Sequence, residues 1–433
     1  MSKLDELIKE LCPNGCEYRE LETVCYISKG IQFNKRDMKD EGTYPVINGG
    51  INPSGYIEQY NQNKNTITIS QGGASAGYVN WQTTKFWCGA HCFTIKPTDD
   101  VLDRYLYHFI KNNEKKLQEC QYGAGIPALA KSTIASLQIP VPPLPVQEEI
   151  VRILDNFTAL TAELTAELTA RKKQYEYYRD ELLTFGDGQC GTALRECGTA
   201  LRECGMWNVE CGMSGRSAPN CNNVTCPNGC EYRELWSVTA WDKKFNSVDR
   251  KKQKKIERYN YYLAADLKKL ENENGTVKIL TTSETNLWAL EDDVKDTLSD
   301  AEIVCIPWGG NPVVQYYKGK FITGDNRIAT VLNKEELSTK YLYYFLQNEL
   351  EIIASFYRGS GIKHPDMSKV LDMQIPVPPM AVQEEIVRIL DRFDSLCNDI
   401  SEGLPAEIEA RQKQYEFYRD ALLNYAAKGV AAL

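Results

Sequence analysis

A duplication constrains the fold of this chain more than any other feature of its sequence. The segment IPVPPLPVQEEIVRILDNF at Ile139–Phe157 returns 236 residues later as IPVPPMAVQEEIVRILDRF at Ile375–Phe393, with 16 of 19 positions identical. CPNGCEYREL occurs unchanged at Cys12–Leu21 and at Cys226–Leu235. The stretches between these matched pieces share almost nothing. A repeated scaffold with divergent interiors predicts two units of one fold that recognise two different targets.

Length and composition indicate a cytoplasmic globular protein. The chain has 433 residues and 42% hydrophobic content, enough for two cores of ordinary domain size. It contains no run of about 18 apolar residues, and its first residues, MSKLDELIKELC, offer no apolar core for a signal peptide. The fifteen cysteines are odd in number, so we expect free thiols rather than disulfides.

Charge is distributed unevenly along the chain. The net charge is −9, but residues 242–258 carry a local balance of +5, whereas residues 383–411 carry −5. The acidic stretch belongs to the repeated scaffold, which is therefore not expected to lie on phosphate. The basic stretch fits either a nucleic-acid contact or a solvated helix face.

Each PVPP turn is followed by the pattern of a long helix. Val146-Gln147-Glu148-Glu149 places acids where the helix dipole favours them. A helix from Gln147 to Phe185 would be about 58 Å long, too long to leave an apolar face uncovered. Apolar residues at helical spacing form that face in the first unit: Ile150, Leu154, Phe157, Leu160, Leu164, Leu168, Tyr175, Tyr178 and Leu182.

The second unit supplies a matching helix. Its apolar residues are Ile386, Leu390, Phe393, Cys397, Ile400, Leu404, Ile408, Tyr415, Tyr418 and Leu422. Because a duplicated unit closes on itself about a pseudo-two-fold axis, we expect antiparallel pairing of the two helices. Gly403-Leu404-Pro405 predicts a kink in the second one. The periodicity fits an ordinary core helix as well as a coiled coil.

Three shorter repeats are harder to interpret. TALTAELTAELTA at Thr158–Ala170 either sets a length, at about 6 Å of helix per four residues, or is helical low complexity. Cys190, Cys197, Cys204 and Cys211 recur every seventh residue, each followed by Gly, which favours an irregular linker. Three C-x-x-x-C pairs have a spacing that zinc accepts, although buried thiols explain them better, so no metal site is predicted: Cys12 with Cys16, Cys88 with Cys92, and Cys226 with Cys230.

Glycine-rich turns follow strand-like runs in both interiors. Such turns let backbone approach phosphate, and polar or cationic neighbours can bond base edges, although ordinary hairpins also use them. One turn recurs at the offset of 236 residues: Gly123-Ala124-Gly125-Ile126 and Gly359-Ser360-Gly361-Ile362. The candidate nucleic-acid contacts are Lys35, Arg36, Gln71, Ser75, Tyr78, Tyr122, Lys131, Lys243, Lys244, Lys251, Lys252, Trp308, Asn311, Asn326, Arg327, Arg358, Lys363 and His364.

The sequence lacks the common signatures of catalysis. It contains no G-x-x-x-x-G-K-[ST], G-x-S-x-G, H-E-x-x-H or [ND]-P-P-[FY] motif. His91, His108 and His364 are its only histidines, and no two have ligand spacing. No catalytic residue is predicted, and a self-contained methylase or nuclease is disfavoured.

In combination, these motifs resemble the specificity subunits of type I restriction-modification systems over nearly the whole chain. The resemblance is carried by CPNGCEYREL, the GxGI turn, IPVPP with VQEEIVRILD, the TAEL tandem and GLPAEIEARQKQYEFYRD. It implies an α/β (α+β) fold in which two globular target recognition domains are separated by two long antiparallel helices. The expected divisions are a first recognition domain, a central helix, a Cys/Gly-rich linker, a second recognition domain and a C-terminal helix, at 1–140, 141–186, 187–224, 225–376 and 377–433.

The resemblance also implies partners. Each domain would recognise half of a split site in double-stranded DNA, and the TAEL number would help to set the gap between the halves. The helices would dock two methyltransferase subunits, and restriction subunits would join the full complex. S-adenosylmethionine and ATP would be bound only by those partners. The repeated polar residues would form the docking faces: Gln147, Glu148, Glu149, Arg152, Gln383, Glu384, Glu385 and Arg388. A helical adaptor that binds no DNA is the competing interpretation.

Overall fold

A computed structural model describes residues 3–123, 125–185, 230–399 and 401–428. It divides into two compact units: Met1–Ala166 with Ala406–Leu433, and Glu167–Pro405. The predicted linker at 187–224, Cys226 of the third C-x-x-x-C pair, Ala124 and Ile400 lie outside the described residues.

In its described residues the first unit has nine strands. The strands are β1 (Glu17–Glu20), β2 (Cys25–Lys29), β3 (Tyr44–Ile47), β4 (Tyr56–Ile57), β5 (Thr66–Ser70), β6 (Val79–Gln82), β7 (Trp87–Cys88), β8 (Cys92–Pro97) and β9 (Gln138–Val141). The helices are α1 (Lys3–Leu11), α2 (Leu21–Val24), α3 (Asp103–Asn112), α4 (Glu114–Glu119), α5 (Lys131–Ala135) and the first part of α6 (Leu144–Leu183), with a 3₁₀ turn at Lys35–Asp37. Helix α1 precedes the strands, α2 to α5 lie between them, and α6 follows the last one.

The second unit repeats this order with a larger interior. Its strands are β10 (Glu231–Glu234), β11 (Thr239–Trp241), β12 (Val277–Leu280), β13 (Leu287–Ala289), β14 (Ser299–Pro307), β15 (Gln315–Thr323), β16 (Asn326–Val331), β17 (Tyr357–Arg358), β18 (His364–Pro365) and β19 (Gln374–Val377). Its helices are α7 (Leu235–Val238), α8 (Ala264–Leu267), α9 (Glu291–Val294), α10 (Thr339–Asn348), α11 (Leu350–Ser355), α12 (Met367–Leu371) and α13 (Met380–Asn398), with a 3₁₀ turn at Arg250–Lys252. The last helix, α14 (Leu404–Lys428), runs into the first unit.

Each unit contains a four-stranded antiparallel core of the same strand order. In the first unit its order is β2-β8-β5-β6, and in the second β11-β16-β14-β15 forms the same part of a six-stranded sheet. Buried β-branched residues fill much of the central strands β5 and β14, as their propensity favours. The interiors differ in what they add: a separate sheet β4-β3-β7 in the first unit, and β12-β13 on the sheet edge in the second.

A two-stranded sheet holds each repeated sequence in place. CPNGCEYREL ends in β1, which pairs antiparallel with β9 so that Glu17 faces Val141. In the second unit β10 pairs with β19 in the same register, with Glu231 facing Val377. The two most similar segments of each unit are therefore partners in space, and the repeat reflects one structural element.

Each unit is completed by an antiparallel helix from the other repeat. Phe157 stacks on Tyr418, with ring centroids 5.4 Å apart, and Leu422 and Leu423 join the first core. In the second unit, Phe393 stacks on Tyr178 at 6.0 Å. The same pair of aromatic contacts thus forms in both units, as the pseudo-two-fold duplication predicts, and the antiparallel pairing is confirmed.

The middle of α6 lacks such support. Ile150 and Leu154 are fully buried, whereas Leu160 in the TAEL tandem is 36% exposed. Thr161 and Thr165 donate their hydroxyls to carbonyls one turn back, at 2.9 and 2.7 Å. The apolar face is therefore continuous in sequence but packed mainly at its two ends.

The predicted kink near Pro405 is a complete break. Helix α13 ends at Asn398 and α14 begins at Leu404. Asp399 accepts hydrogen bonds from the backbone N–H groups of Ser401 and Glu402, and the hydrogen bonds at this turn lower the pKa of its carboxyl. A Cβ on Gly403 would lie 2.5 Å from the Ser395 carbonyl oxygen, so only glycine fits. The second repeat has four more residues between Phe393 and Ala410 than the first has between Phe157 and Ala170, and they contribute this turn rather than more helix.

Candidate nucleic-acid interface

Equivalent central strands end in the same glycine turn. Strand β5 continues into Gln71-Gly72-Gly73, and β14 continues into Trp308-Gly309-Gly310. The second glycine of each turn has a left-handed φ, +81° at Gly73 and +100° at Gly310, which favours glycine. The sheet therefore presents a bare backbone turn at the same edge in both units.

The GxGI turn forms a second loop beside it. Tyr122 and Ala128 exchange two backbone hydrogen bonds of 2.9 Å around the first copy, and β17 pairs Arg358 with His364 around the second. Gly123 and Gly359 have left-handed φ values of +104° and +144°. A Cβ on either would approach the following isoleucine carbonyl oxygen within 2.8 or 2.7 Å, so both must be glycine.

Backbone hydrogen bonds join these two loops into one surface in each unit. In the first, Gly73 N donates to Pro127 O at 2.9 Å and Leu129 N to Gln71 O at 2.7 Å. In the second, Gly310 N donates to Lys363 O at 3.1 Å. We call residues 71–73 with 122–123 and 125–128, and residues 308–310 with 358–364, the glycine platforms. Their shared frame is main chain, so their side chains are free to differ.

Cationic and aromatic side chains surround the second platform. The His364 ring lies 5.3 Å from that of Trp308, and its Nδ1 is 2.7 Å from the Trp308 carbonyl oxygen. Lys243 Nζ lies 5.2 Å from the Trp308 ring. Burial, then the nearby Arg327 guanidinium, lowers the pKa of Lys243. Several predicted contacts are thereby brought together.

The first platform carries neutral side chains at the equivalent places. Gln71 takes the position of Trp308, and Tyr122, which is 57% exposed, takes that of Arg358. The turn Asn48-Gly49 is linked to it through His91, because Asn48 Oδ1 accepts from His91 N at 3.1 Å and His91 O accepts from Gln71 N at 2.9 Å. The sequence did not indicate His91 as part of this site, because only the sheet topology brings it near Gln71.

The remaining predicted contacts are scattered. Lys35, Arg36, Lys131, Lys244, Lys251 and Asn311 are exposed, and Ser75 is half-buried. Lys252 pairs with Asp372. Tyr78 is half-buried under Lys111, whose Nζ is 4.8 Å from its ring, and burial raises the pKa of the phenol.

Two predicted DNA contacts are structural instead. Arg327 is 2% exposed and pairs with Asp242 at 2.9 Å and with Asp325. Burial raises the pKa of Asp242, and Arg327 opposes that shift. Asn326 is 3% exposed and donates to the carbonyls of Leu280 and Thr281. Charge and amide chemistry suggested base contacts, but both side chains are buried, on opposite faces of strand β16.

The repeated glutamines are also structural, which corrects their assignment to a docking face. Gln147 is fully buried, and its Nε2 donates to Pro142 O at 2.8 Å and Asp100 O at 2.9 Å, while its Oε1 accepts from Leu102 N. Gln383 makes the same three kinds of bond in the second unit, to Pro378 O, Glu336 O and Ser338 N. Each glutamine links the proline turn to the start of a helix, α3 in the first unit and α10 in the second. This role explains why the glutamine is the same in both copies.

A second set of repeated contacts was missed by the sequence reasoning. In the first unit Asp155 accepts from Arg104 Nε at 3.2 Å and lies 2.8 Å from His108 Nε2. Burial raises the pKa of Asp155, but its bonds to His108 and Arg104 outweigh that effect and lower the pKa to about 2. In the second unit Asp391 is held by Lys340 and Tyr344. The offset of 236 residues between RYLYHFIKN and KYLYYFLQN is the signal that reveals this pair.

The rest of the polar helix face divides by exposure. Glu149 is 3% exposed and binds Arg152 at 2.6 Å and Lys3 at 3.0 Å; the bond to Arg152 is the largest of the effects that hold its pKa at about 2. Glu385 pairs with Arg388 in the same way. Of the four glutamates predicted to dock a partner, Glu148 and Glu384 are the ones that lie exposed.

The family model for the type I restriction modification DNA specificity domain matches residues 13–171 and 244–410. The chain belongs to this family. It is 29% identical over 424 residues to a putative type I restriction enzyme specificity subunit of Haemophilus influenzae, covering 95% of this chain and 96% of the relative. It is also 29% identical to the EcoR124I/EcoR124II specificity subunit of Escherichia coli, covering 90% and 89%.

A solved structure supports the fold. The crystal structure of a type I restriction-modification S subunit from M. genitalium matches with a TM-score of 0.60 at 17% identity, covering 95% of this chain and 97% of that one. The expected arrangement of two recognition domains with long helices is therefore confirmed.

Family membership identifies a specificity component rather than the enzymatic subunit of a type I system, which confirms the prediction from missing catalytic motifs. It also disfavours the adaptor that binds no DNA. Among the described residues, no cluster of three or more histidines, cysteines or acids is placed to hold a metal ion. Within those same ranges, no helix is long and apolar enough to cross a membrane.

Proposed function

We propose that the two units of this chain recognise the two halves of one bipartite DNA site. The observation that supports this most directly is the pair of glycine platforms. Their main-chain frame is the same, whereas the side chains on it differ at three equivalent places: Gln71 against Trp308, Tyr122 against Arg358, and Ala128 against His364. A common frame with different side chains is what recognition of two different sequences requires.

The side chains predict different chemistry at the two halves. Glutamine and asparagine can bond adenine through two hydrogen bonds, whereas arginine and lysine prefer the two acceptors of guanine or a phosphate. The first platform offers Gln71, and the second offers Arg358, which is 63% exposed along its side chain, and Lys363. We therefore expect a larger share of phosphate contacts, and a steeper salt dependence, at the second half-site.

The helices would set the distance between the half-sites and hold the partners. Helix α6 spans 40 residues, and its poorly packed middle is the TAEL tandem. Removing one four-residue unit would shorten the helix by about 6 Å, close to two base-pair steps. The gap in the recognised site should shorten accordingly.

Both repeats also offer an equivalent exposed surface for a partner. Tyr177 and Phe417 hold the same place in QYEYYRD and QYEFYRD, and they are 55% and 70% exposed. With the exposed Glu148 and Glu384, they give two matched faces. Two matched faces suit two copies of one methyltransferase subunit. Restriction subunits would join the full complex, and the partner subunits would bind S-adenosylmethionine and ATP. The complex would act in the cytoplasm.

The test is to purify the chain with methyltransferase subunits from its host. Methylation sequencing of the host genome supplies the site, and native mass measurement supplies the stoichiometry. We expect a complex with two methyltransferase subunits that prefers the bipartite duplex over a scrambled one, and weak binding by the chain alone because its net charge is −9.

Charge reversal then tests the docking faces. Glu148→Lys with Glu384→Lys should loosen both methyltransferase subunits. Glu41→Lys with Glu335→Lys, at exposed carboxylates in the two interiors, makes the same change in net charge and serves as the matched control. A one-to-one assembly, or tight specific binding by the lone chain, would contradict the proposal.

A further inference from the structure

An isoleucine at the tip of each GxGI turn is unusually exposed. Ile126 is 78% exposed and Ile362 is 71% exposed, the two highest values among large apolar side chains in the described part of the chain. A single exposed apolar side chain is common on protein surfaces. Here the same residue occupies the same place in both units, although the interiors around it have diverged.

The glycine before each isoleucine is not required by the chain itself. Neither Gly125 nor Gly361 has a left-handed φ. A Cβ added to either would meet nothing within 4 Å. This contrasts with Gly123 and Gly359, whose φ values and close carbonyls both demand glycine. The chain itself therefore leaves open space at Gly125 and Gly361, through which another molecule can approach the main chain.

The charges beside the tip differ between the two units. In the second unit the tip lies between Arg358 and Lys363, both exposed cations, and Lys243 lies beside the same platform. These charges complement phosphate. The first tip is flanked by Tyr122 and Pro127 and carries no charge. At the tips themselves, the two units share the pair Gly125-Ile126 and Gly361-Ile362 but not the flanking side chains.

We propose that the two tips are matched, sequence-independent DNA contacts. Gly125 and Gly361 let the DNA strand come against the main chain, and Ile126 and Ile362 pack on deoxyribose and base edges. Because the tips are identical while their neighbours differ, they anchor each unit, and the flanking side chains select the sequence. This inference rests on the proposed function, since it concerns the same platforms.

The experiment uses the complex with its methyltransferase subunits. Binding is measured for the duplex that contains the host's methylated site and for a scrambled duplex of equal length, at several salt concentrations. The variants are Gly125→Ala, Ile126→Ala, Gly361→Ala and Ile362→Ala. Ile352→Ala on α11, an isoleucine that is 48% exposed, is the matched control.

We expect each isoleucine variant to bind both duplexes about tenfold more weakly, by the same factor for each, because an aliphatic side chain that packs on the DNA is truncated. Each glycine variant should weaken binding several-fold while leaving thermal unfolding unchanged. The salt slope should stay that of the wild type, because no phosphate contact is removed. Ile352→Ala should bind normally.

Three outcomes would overturn the inference. Wild-type affinity of both isoleucine variants would show that the tips do not touch DNA. A weakening confined to one base pair of the site would make the isoleucine a sequence reader. Failure of the variants to assemble with methyltransferase would place the tip on a protein partner. In each case the wild-type complex would still prefer the bipartite duplex; if it did not, the proposed function itself would fail.

Discussion

The two units solve the same structural problem with different interiors. Phe93 on β8 and Arg327 on β16 hold equivalent positions, since each pairs with the isoleucine next to the end of the central strand, Ile69 or Ile306. Both side chains are at most 3% exposed. The aromatic ring needs only apolar neighbours. The guanidinium needs Asp242 and Asp325. The shared frame therefore accommodates either apolar packing or a buried ion network at this position, provided that both carboxylates are present with the arginine.

The largest expected effect is on that network. Arg327→Met should destabilise the second unit by about 3 to 5 kcal/mol, because it leaves Asp242 buried without its cation. Phe93→Leu at the equivalent place should cost about 1 kcal/mol. Denaturant unfolding measures both. Arg327→Met combined with Asp242→Leu should recover part of the stability; a double variant no more stable than Arg327→Met would contradict the pairing.

The repeated glutamines should behave alike in the two units. Gln147→Ala and Gln383→Ala each remove the partner of two carbonyls and one N–H, and we expect a cost of about 2 to 3 kcal/mol for each. Thermal unfolding of the two variants tests this likeness. Glu148→Ala, at an exposed neighbour, should change stability by less than about 0.5 kcal/mol. A large difference between the two glutamine variants would show that the units are not equivalent in this element.

The platforms should differ in their response to salt. Arg358→Ala with Lys363→Ala should weaken DNA binding by the complex and reduce the slope of log affinity against log salt by about one for each phosphate that these side chains neutralise. Tyr122→Ala with Pro127→Ala is the matched change in the first unit and should leave the slope unaltered. A slope left unchanged by Arg358→Ala with Lys363→Ala would exclude phosphate contacts by these two side chains.

The smallest effect concerns pH. The bond to Arg152 is the largest of the effects that hold the pKa of Glu149 at about 2, below the ordinary 4.5. A depressed carboxyl pKa gives stability that is present above the unfolded-state value and is lost as pH falls from about 4.5 towards 2. Unfolding midpoints across this range should fall for the wild type and fall less steeply for Glu149→Gln. An identical decline in both proteins would exclude this contribution.

The sequence predicted the repeated parts of the fold well because their signals are local or recur. The period of three and four residues identified α6 and α13. The exact return of CPNGCEYREL identified the start of each unit, although not its pairing in the two-stranded sheets β1-β9 and β10-β19. Glycine turns were found as well, since Gly73 and Gly310 need conformations that few other residues adopt. The break at Gly403 was expected as a kink, because proline marks a boundary but does not show how the chain closes it.

Burial was harder to predict. Gln147 and Arg327 carry groups that usually face solvent, so sequence reasoning assigned them to partners. Each has at least one partner distant in sequence: the Leu102 N–H lies 45 residues from Gln147, and Asp242 lies 85 residues from Arg327. No local pattern encodes such pairs. They become visible only once the strands and helices α3 and α10 are placed in the tertiary structure.

The sequence by itself determined that the chain is a duplicated specificity protein with two long helices and two divergent interiors, because repetition, helical period and glycine placement are written in the order of residues. Tertiary structure alone decided which polar residues face outward. It buried Gln147 and Gln383 in the proline turns, brought two glycine turns together as a platform, and left Ile126 and Ile362 exposed at its tip. The physical reason is that burial depends on packing between distant segments, which a linear pattern does not contain.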